Sequence, residues 1–168
     1  AGIEGKVGLI GDMALADFDR VMNVNVRGVF IGLSAVMPAM RAAGKGGSIV
    51  ILSSTAGRRG TAALSPYITS KHAVVGLMKC AALEGAADNI RVNCVNPGPI
   101  ETRMMRQIEA NASPEAPGDM KALLISRIPL QRYGEAEEVA EMIAFLGSSA
   151  SSYCTGNIYG VDGGLTAG

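Results

Sequence analysis

Short runs of β-branched and apolar residues alternate with longer helical segments along this chain. Three runs are predicted to be strands, at 48–53, 90–95 and 157–161. Periodicity and helix-starting residues predict helices over 16–43, 66–87 and 135–146. Because strands that are separated by helices pair in parallel through crossovers, the order predicts an α/β fold with a three-stranded parallel sheet. The continuous apolar run at 48–53 predicts a strand that is buried on both faces of that sheet.

Composition excludes several classes of protein. The 168 residues are 48% apolar and 18% charged, which predicts a single domain over 1–168 with its own core and excludes a disordered chain. The 15 basic residues balance the 15 acidic ones, so we expect no binding to nucleic acid or to an anionic membrane surface. Three widely spaced cysteines without a CxxC pair predict reduced thiols, a cytoplasmic location and no metal site. Neither a signal peptide nor a membrane span is predicted from the hydropathy pattern.

Prolines and a glycine interrupt the stretch that follows the second predicted strand. Pro114, Pro117 and Gly118 break the helical pattern there. We therefore predict a long loop with short helical pieces over 103–127. Long excursions of this kind in a small domain usually serve a site, so this loop is predicted to bind the substrate.

Tyr67 and Lys71 form a candidate catalytic pair. They are four residues apart near the start of a predicted helix, so their side chains share one face. An ammonium beside a phenol favours the phenolate and lowers the pKa of the phenol. Tyr67 is therefore a candidate general acid and base, while a tyrosine near a solvated lysine is the alternative interpretation of the pair alone.

Ser54 is expected to converge with this pair. It follows the first predicted strand at its carboxyl end, 13 positions before Tyr67. Ligands of open parallel sheets bind outside that end, where a hydroxyl can hydrogen-bond a substrate oxygen. Pro97 and Gly98 end the next strand at the same edge, so one cleft is predicted.

Asn25 interrupts an otherwise apolar face of the first predicted helix. That face runs through Phe18, Met22, Val26, Val29, Leu33, Val36 and Met40. A buried amide without hydrogen-bond partners costs about 1–3 kcal/mol. We therefore expect partners for Asn25 inside the protein.

Together these motifs resemble the short-chain dehydrogenase/reductase family. The resemblance rests on Tyr67–Lys71 with Ser54 upstream, on Asn25 within 24–30, and on the runs 97–102, 133–140 and 155–164. It covers essentially the whole chain. It implies a Rossmann-like parallel sheet with flanking helices, and an NAD(P)-dependent oxidoreductase that interconverts a secondary alcohol and a ketone.

The resemblance also implies a role for each catalytic residue. Tyr67 would be the general acid and base, and Lys71 would hold the nicotinamide ribose and lower the pKa of Tyr67. Ser54 would polarise the carbonyl or hydroxyl of the substrate. Asn25 would bind a water in a proton relay.

Further residues would bind the cofactor, which is NAD or NADP. They are Ala1 and Gly2, which resemble the end of the family's Asn-Asn-Ala-Gly stretch, Tyr67 and Lys71, and the residues Pro97, Gly98, Ile100 and Thr102 on the nicotinamide side. The family's coenzyme half, with its glycine-rich turn, has no counterpart in this sequence. We therefore expect the chain to be the catalytic and carboxy-terminal part of a longer enzyme, with a truncated gene product as the alternative, and to bind coenzyme weakly or not at all.

Two finer expectations follow from the family. Its helices that correspond to 16–43 and 66–87 pack between subunits, which implies a homotetramer or homodimer. The opening Glu4-Gly5 and the run 70–77 resemble bacterial reductases of cyclic ketones.

Two other functions remain open at this point. The chain could be a non-catalytic interaction module that pairs a bare sheet edge or apolar helices with another chain. It could instead be a hydrolase that uses Ser54, although the GxSxG motif of one large hydrolase class is absent.

Overall fold

A parallel three-stranded sheet lies at the centre of the computed structural model, which describes residues 2–113 and 115–167. Its strands are β1 (Gly47–Leu52), β2 (Ile90–Pro97) and β3 (Ile158–Val161), in the spatial order β1-β2-β3. The register pairs Gly47 with Ile90 and Cys94 with Ile158. The predicted parallel α/β fold is confirmed. Ala1, a predicted cofactor-binding residue, lies outside the described residues.

The helices flank this sheet. They are α1 (Leu15–Met22), α2 (Gly28–Ala43), α3 (Ser65–Gly85), α4 (Arg103–Ala112), α5 (Pro117–Ser126) and α6 (Ala136–Gly147). Short 3-10 turns lie at Ile10–Asp12, Thr55–Gly57, Ala86–Asp88 and Ser149–Ser151.

Burial of β1 differs from the prediction. The central strand β2 is buried along most of its length, whereas Ile51 is the buried residue of β1 and Leu52 is exposed. β1 lies at an edge of the sheet within the described part of the chain, so its outer side lacks a neighbouring strand there. A continuous apolar run shows that a strand can be buried on both faces. The position of the strand in the sheet then determines how much of it is buried.

A π-helical segment, Asn23–Arg27, joins α1 to α2 inside the predicted first helix. The extra residue in a π turn rotates the following side chains relative to the preceding ones. The buried positions are accordingly Val21, Asn25, Leu33 and Met37, and Val36 from the predicted stripe is exposed. Leu33 from the predicted stripe is buried and Val29 and Met40 pack against the core, so the stripe is confirmed apart from Val36. Asn25 is buried as expected.

Helix α3 packs against β2 and carries much of the core. Val74, Met78 and Ala82 are buried with Ile90 and Val92 from the strand. The helix begins at Ser65 with Pro66 in its first turn, where the missing N–H of proline is tolerated. Ser65 does not cap the helix with its side chain, because it is the first helical residue itself.

The segment 103–127, predicted as a long loop with short helical pieces, contains two ten-residue helices, α4 and α5. Pro114, one of the predicted interruptions, lies outside the described residues. Thr102 accepts a hydrogen bond from the backbone N–H of Met105 and so caps α4. Pro117 lies in the first turn of α5, where it starts the helix rather than breaking one. The predicted helical pieces are therefore present, and they cover more of the segment than the predicted loop does, because Pro117 begins a helix where it was interpreted as an interruption.

Helix α6 closes the other face of the sheet. Its amino end has a capping box between Glu135 and Glu138. The predicted apolar face, Val139, Met142, Ile143 and Leu146, packs in the second core cluster with Val95 and Ile100, which confirms that helix.

The segment Leu15–Ala43 is long and apolar enough to span a membrane by length and composition alone. It also carries the buried amide of Asn25, and it packs on α3 through α1 and the π segment. The sequence prediction of no membrane span remains a prediction.

Candidate active site

The predicted catalytic residues lie where β1 ends and α3 begins. Ser54 follows β1 by two residues, and Tyr67 and Lys71 lie in the first two turns of α3. The Ser53 hydroxyl donates to the Lys71 carbonyl oxygen at 3.1 Å. A Cβ on Gly57 would lie 2.9 Å from that same carbonyl oxygen, so a side chain there would push the turn away from α3. These two contacts bring the end of β1 against α3, the helix that carries the candidate catalytic pair.

The Lys71 ammonium lies over the face of the Tyr67 ring, 5.5 Å from its centroid. This confirms that the two side chains share one face of the helix. The contact is a cation–π interaction with the ring rather than an ion pair with the hydroxyl oxygen.

The pKa of Tyr67 is raised from its ordinary value, which is opposite to the direction predicted from Lys71. Burial of the phenol is the largest cause, because it disfavours the charged phenolate. The Ser54 hydroxyl acts in the other direction through a hydrogen bond, and the negative charge of Glu4 raises the pKa further. At neutral pH the phenol therefore keeps its proton and can donate it.

Lys71 is a buried ammonium with few partners. It is 8% exposed, and its Nζ donates a long hydrogen bond of 3.5 Å to the Leu52 carbonyl oxygen. Burial lowers the pKa of Lys71, and the neighbouring Cys94 opposes this change. Burial also raises the pKa of the Cys94 thiol to about 12, so this thiol stays neutral. An ammonium with three N–H donors and one weak acceptor can bind further oxygen atoms.

Asn96 fixes the Ser54 loop, a role that sequence reasoning missed. Its Nδ2 donates to the Ser54 carbonyl oxygen at 2.6 Å, and the side chain is fully buried. The Ser54 hydroxyl accepts from the backbone N–H of Ala56 at 3.2 Å, which leaves its own proton available to donate. The only sequence signal for Asn96 is an amide at the end of a buried strand.

Asn25 finds the partners that its burial requires. Its Oδ1 accepts from the Ile3 N–H at 2.9 Å, and its Nδ2 donates to the Ile3 carbonyl oxygen at 2.8 Å and to Ser70 Oγ at 3.0 Å. Ser70, which is also fully buried, donates to the Tyr67 carbonyl oxygen at 2.7 Å. Asn25 therefore ties the amino-terminal segment to the helical turn that carries Tyr67, through a serine that sequence reasoning did not single out.

The residues predicted on the nicotinamide side have clear positions. Gly98 packs so closely that a Cβ there would lie 2.9 Å from the Asp162 Cα, where β2 and β3 end side by side. Ile100 is buried in the core and forms a parallel bridge with Gly134. Thr102 caps α4, and Pro97 is the last residue of β2. These contacts hold the edge of the sheet and the base of α4.

Gly2 lies beside the catalytic pair. A Cβ on Gly2 would lie 3.3 Å from Asn25 Oδ1 and 3.8 Å from Lys71 Nζ. Glycine thus keeps the space around the ammonium free. His72 is exposed, and its Nδ1 lies 3.0 Å from the Ile68 carbonyl oxygen of its own helix, which gives Ser54 no general base and disfavours the hydrolase alternative.

A family model described as "Enoyl-(Acyl carrier protein) reductase" matches residues 1–166. The chain is 40% identical over 167 residues to levodione reductase of Leifsonia aquatica, covering 99% of this chain and 62% of that protein. It is 45% identical over 157 residues to 3-oxoacyl-(acyl-carrier-protein) reductase of Thermotoga maritima, covering 94% of this chain and 60% of that protein. The chain thus spans about three fifths of the length of these relatives.

Solved structures match the whole fold. The crystal structure of levodione reductase superposes with a TM-score of 0.96 at 40% identity, covering 99% of this chain and 64% of that one. The NADP-bound structure of a putative 2-deoxy-d-gluconate 3-dehydrogenase from Agrobacterium tumefaciens superposes with a TM-score of 0.90 at 34% identity. This match covers 100% of this chain and 65% of that one. The structure of an NAD+-bound xylitol dehydrogenase superposes with a TM-score of 0.90 at 35% identity, covering 98% of this chain and 66% of that one.

Proposed function

The chain belongs to the short-chain dehydrogenase/reductase family, and on that premise we propose that it acts as an NAD(P)-dependent oxidoreductase that interconverts a secondary alcohol and a ketone. The observation that carries the proposal is the grouping of Tyr67, Lys71 and Ser54 at the carboxyl end of β1. Two of the relatives are named for reactions of this class, the reduction of levodione and the oxidation of cyclohexanol.

The donors near the site fit a nicotinamide cofactor. Lys71 is a buried ammonium whose described partner is a long hydrogen bond to one carbonyl oxygen, so its remaining N–H groups suit the hydroxyls of a ribose. Gly2 leaves room beside that ammonium. The segment from Pro97 to Thr102 would line the nicotinamide side. A bound nicotinamide supplies or accepts the hydride, and both NAD and NADP are bound by structural relatives.

Tyr67 is proposed as the general acid of ketone reduction. Its raised pKa keeps the phenol protonated at neutral pH, so it can protonate the carbonyl oxygen as negative charge develops there. Ser54 would turn its hydroxyl proton from the phenol to the same substrate oxygen and polarise the carbonyl. Once the phenol has given up its proton, the Lys71 ammonium over the ring stabilises the phenolate.

Asn25 is proposed to take part in the return of the proton. Both of its N–H groups are used by Ile3 and Ser70, and its Oδ1 accepts one bond, so one acceptor lone pair remains for a water. A water there would lie near the Lys71 ammonium, since the space beside Gly2 borders both side chains.

The substrate is proposed to be a cyclic ketone or its alcohol, in line with the names of two relatives. The segment 103–127, folded as α4 and α5, is proposed to form one wall of its binding site. This segment follows directly from the end of β2 through Ile100 and Thr102.

Association with other copies is proposed as well. Phe30 and Ile31 are 56% and 55% exposed on α2, which is unusual for neighbouring large apolar side chains. This face favours a homotetramer or homodimer, and it is also what a non-catalytic association module would present. The cytoplasmic location remains a proposal, supported by the free thiols of Cys80, Cys94 and Cys154.

The test is reduction of cyclohexanone by the purified protein, followed as the oxidation of NADH or NADPH. The cofactor is supplied in large excess, because the chain is expected to bind coenzyme weakly. We expect ketone-dependent oxidation of one cofactor under these conditions, and a loss of about 100-fold or more in Tyr67→Phe, because the proton donor is removed. Tyr153→Phe is the matched control, since Tyr153 is fully exposed. A Tyr67→Phe variant that keeps full turnover would exclude the proposed role, and cleavage of an activated ester without cofactor would favour the hydrolase.

A further inference from the structure

The segment from Gly2 to Gly5 is fixed against α3. Asn25 binds both the N–H and the carbonyl oxygen of Ile3, at 2.9 and 2.8 Å. The two groups of one residue point to the same side when its backbone is extended, so this clamp holds Ile3 extended. Gly5 follows with φ of 80° and packs on the Val21 side chain.

The clamp decides where Glu4 points. Side chains alternate along an extended segment, so Glu4 projects to the same side as the absent side chain of Gly2. That side borders the Lys71 ammonium, since a Cβ on Gly2 would lie 3.8 Å from Nζ. Glu4 therefore lies along the wall of the site that Tyr67 and Lys71 occupy.

The carboxylate of Glu4 is half-buried and lacks an ion-pair partner within residues 2–113 and 115–167. Burial raises the pKa of Glu4. Its negative charge also raises the pKa of Tyr67, which requires that the two groups lie within electrostatic range of each other. Glu4 therefore does not act as an ion-pair residue among the described residues. The group on which its charge acts is Tyr67, the proposed general acid.

We propose that Glu4 is a specificity-determining residue, whose carboxylate faces Tyr67 and disfavours substrates that carry an anionic group next to the reacting carbon. This inference rests on the proposed function. Two like charges brought together in a half-buried site repel each other strongly. The site therefore selects neutral ketones and alcohols against oxo acids of the same size.

The other groups that act on the phenol are accounted for. Lys71 lies over the Tyr67 ring from one turn along α3, and Ser54 reaches the hydroxyl from the end of β1. Cys94 on β2 acts on Lys71 and not on the phenol, and it stays neutral. Glu4 is thus the acidic group that acts on Tyr67.

The first test measures the ionisation of Tyr67 without cofactor or turnover. Phenolate absorbance is titrated in the wild type, in Glu4→Gln and in the matched control Glu141→Gln, an exposed carboxylate on α6. Subtracting the curve of Tyr67→Phe isolates the Tyr67 signal from the other tyrosines. We expect the Tyr67 midpoint to move to lower pH in Glu4→Gln and to stay unchanged in Glu141→Gln.

The second test compares pyruvate with pyruvamide, which have the same size and differ in one negative charge next to the same ketone. The wild type is expected to reduce the amide far faster than the acid. In Glu4→Gln the ratio of the two kcat/KM values should fall by about tenfold or more, because the repulsion is removed. Glu141→Gln should keep the wild-type ratio. Glu4→Thr provides a second neutral variant in case Glu4→Gln folds poorly.

An unchanged Tyr67 midpoint in the folded neutral variants would overturn the proposal, and so would an unchanged ratio. If the wild type reduces neither compound nor any cyclic ketone, the proposed function fails. The phenolate titration still tests whether Glu4 lies close to Tyr67 in that case, since it needs no turnover.

Discussion

At the scale of single residues, the site depends on polar side chains that hold one another in place. Asn96 holds the backbone of Ser54, and Asn25 holds Ile3 and Ser70. Each of these amides is buried, so each has a strong requirement for its partners. The Oδ1 atom of Asn96 lacks a partner among the described residues, which makes it an available acceptor next to the Ser54 loop.

Gly98 gives a prediction at this scale. A Cβ at position 98 would lie 2.9 Å from the Cα of Asp162, a backbone atom that cannot rotate away. We expect Gly98→Ala to lower the free energy of unfolding by about 1–3 kcal/mol, because the ends of β2 and β3 must separate. Chemical denaturation measures this change.

Gly118→Ala is the matched control for that substitution. A Cβ on Gly118 meets no atom within 4 Å, and alanine favours the helix α5. Its stability should equal or exceed that of the wild type. Equal stability of Gly98→Ala and Gly118→Ala would contradict the close approach of the two strand ends.

At the scale of elements, the amino end of α6 combines two interactions on one carboxylate. Glu138 accepts from the backbone N–H of Glu135 at 2.8 Å, and it binds the guanidinium of Arg132 through both oxygens, at 2.6 and 2.8 Å. These bonds lower the pKa of Glu138 to about 2. The amino end of α6, which covers one face of the sheet, is therefore fixed by the Glu138 carboxylate, an exposed group with several hydrogen bonds.

This lowered pKa predicts a pH dependence of stability. The folded-state pKa lies below the ordinary value of 4.5, so the contribution of Glu138 is complete above that value and is lost as the pH falls towards 2. We expect the melting temperature of Glu138→Gln to be lower than that of the wild type at pH 7 and to approach it at pH 2–3. Glu141→Gln, on the same helix, should show no such convergence. Parallel melting curves for the Glu138→Gln variant and the wild type across this range would argue against the lowered pKa.

At the scale of the whole molecule, the sheet and its helices leave apolar surface uncovered. Phe30 and Ile31 on α2 are more than half exposed, and β1 has an unpaired outer edge within the described residues. Contiguous exposed apolar surface is a feature of association sites. The proposed oligomer would bury the α2 face.

The prediction at this scale concerns association. Ile31→Lys places a charge in the centre of the α2 face, and we expect it to reduce the molecular mass in sedimentation velocity to that of a smaller assembly. Leu130→Lys is the control, because Leu130 is 65% exposed and its backbone is bonded to Gly163, beyond the end of β3, rather than to α2. A wild type that sediments as a monomer would contradict the proposed association.

The sequence by itself determined the elements and the catalytic pair. Spacing is a local property, so the four-residue step placed Tyr67 and Lys71 on one face of α3, and the alternation of strands and helices gave the parallel sheet. The resemblance of the motifs to a family supplied the proposed roles, and the comparisons confirm that family. The full extent of the helices in 103–127 and the exposure of Val36 were not predicted, because a proline can either break or begin a helix and the π turn has no clear signal in the sequence.

Only the tertiary structure decided the electrostatics and the supporting contacts. The pKa of Tyr67 is raised and not lowered, because burial of the phenol depends on what packs around it, which spacing along a helix does not contain. The contacts of Asn96 and Ser70, and the effect of the Glu4 charge on the pKa of Tyr67, likewise come from segments far apart in the sequence. Local patterns record which side chains can share a face, whereas solvation and charge are set by every neighbour in space.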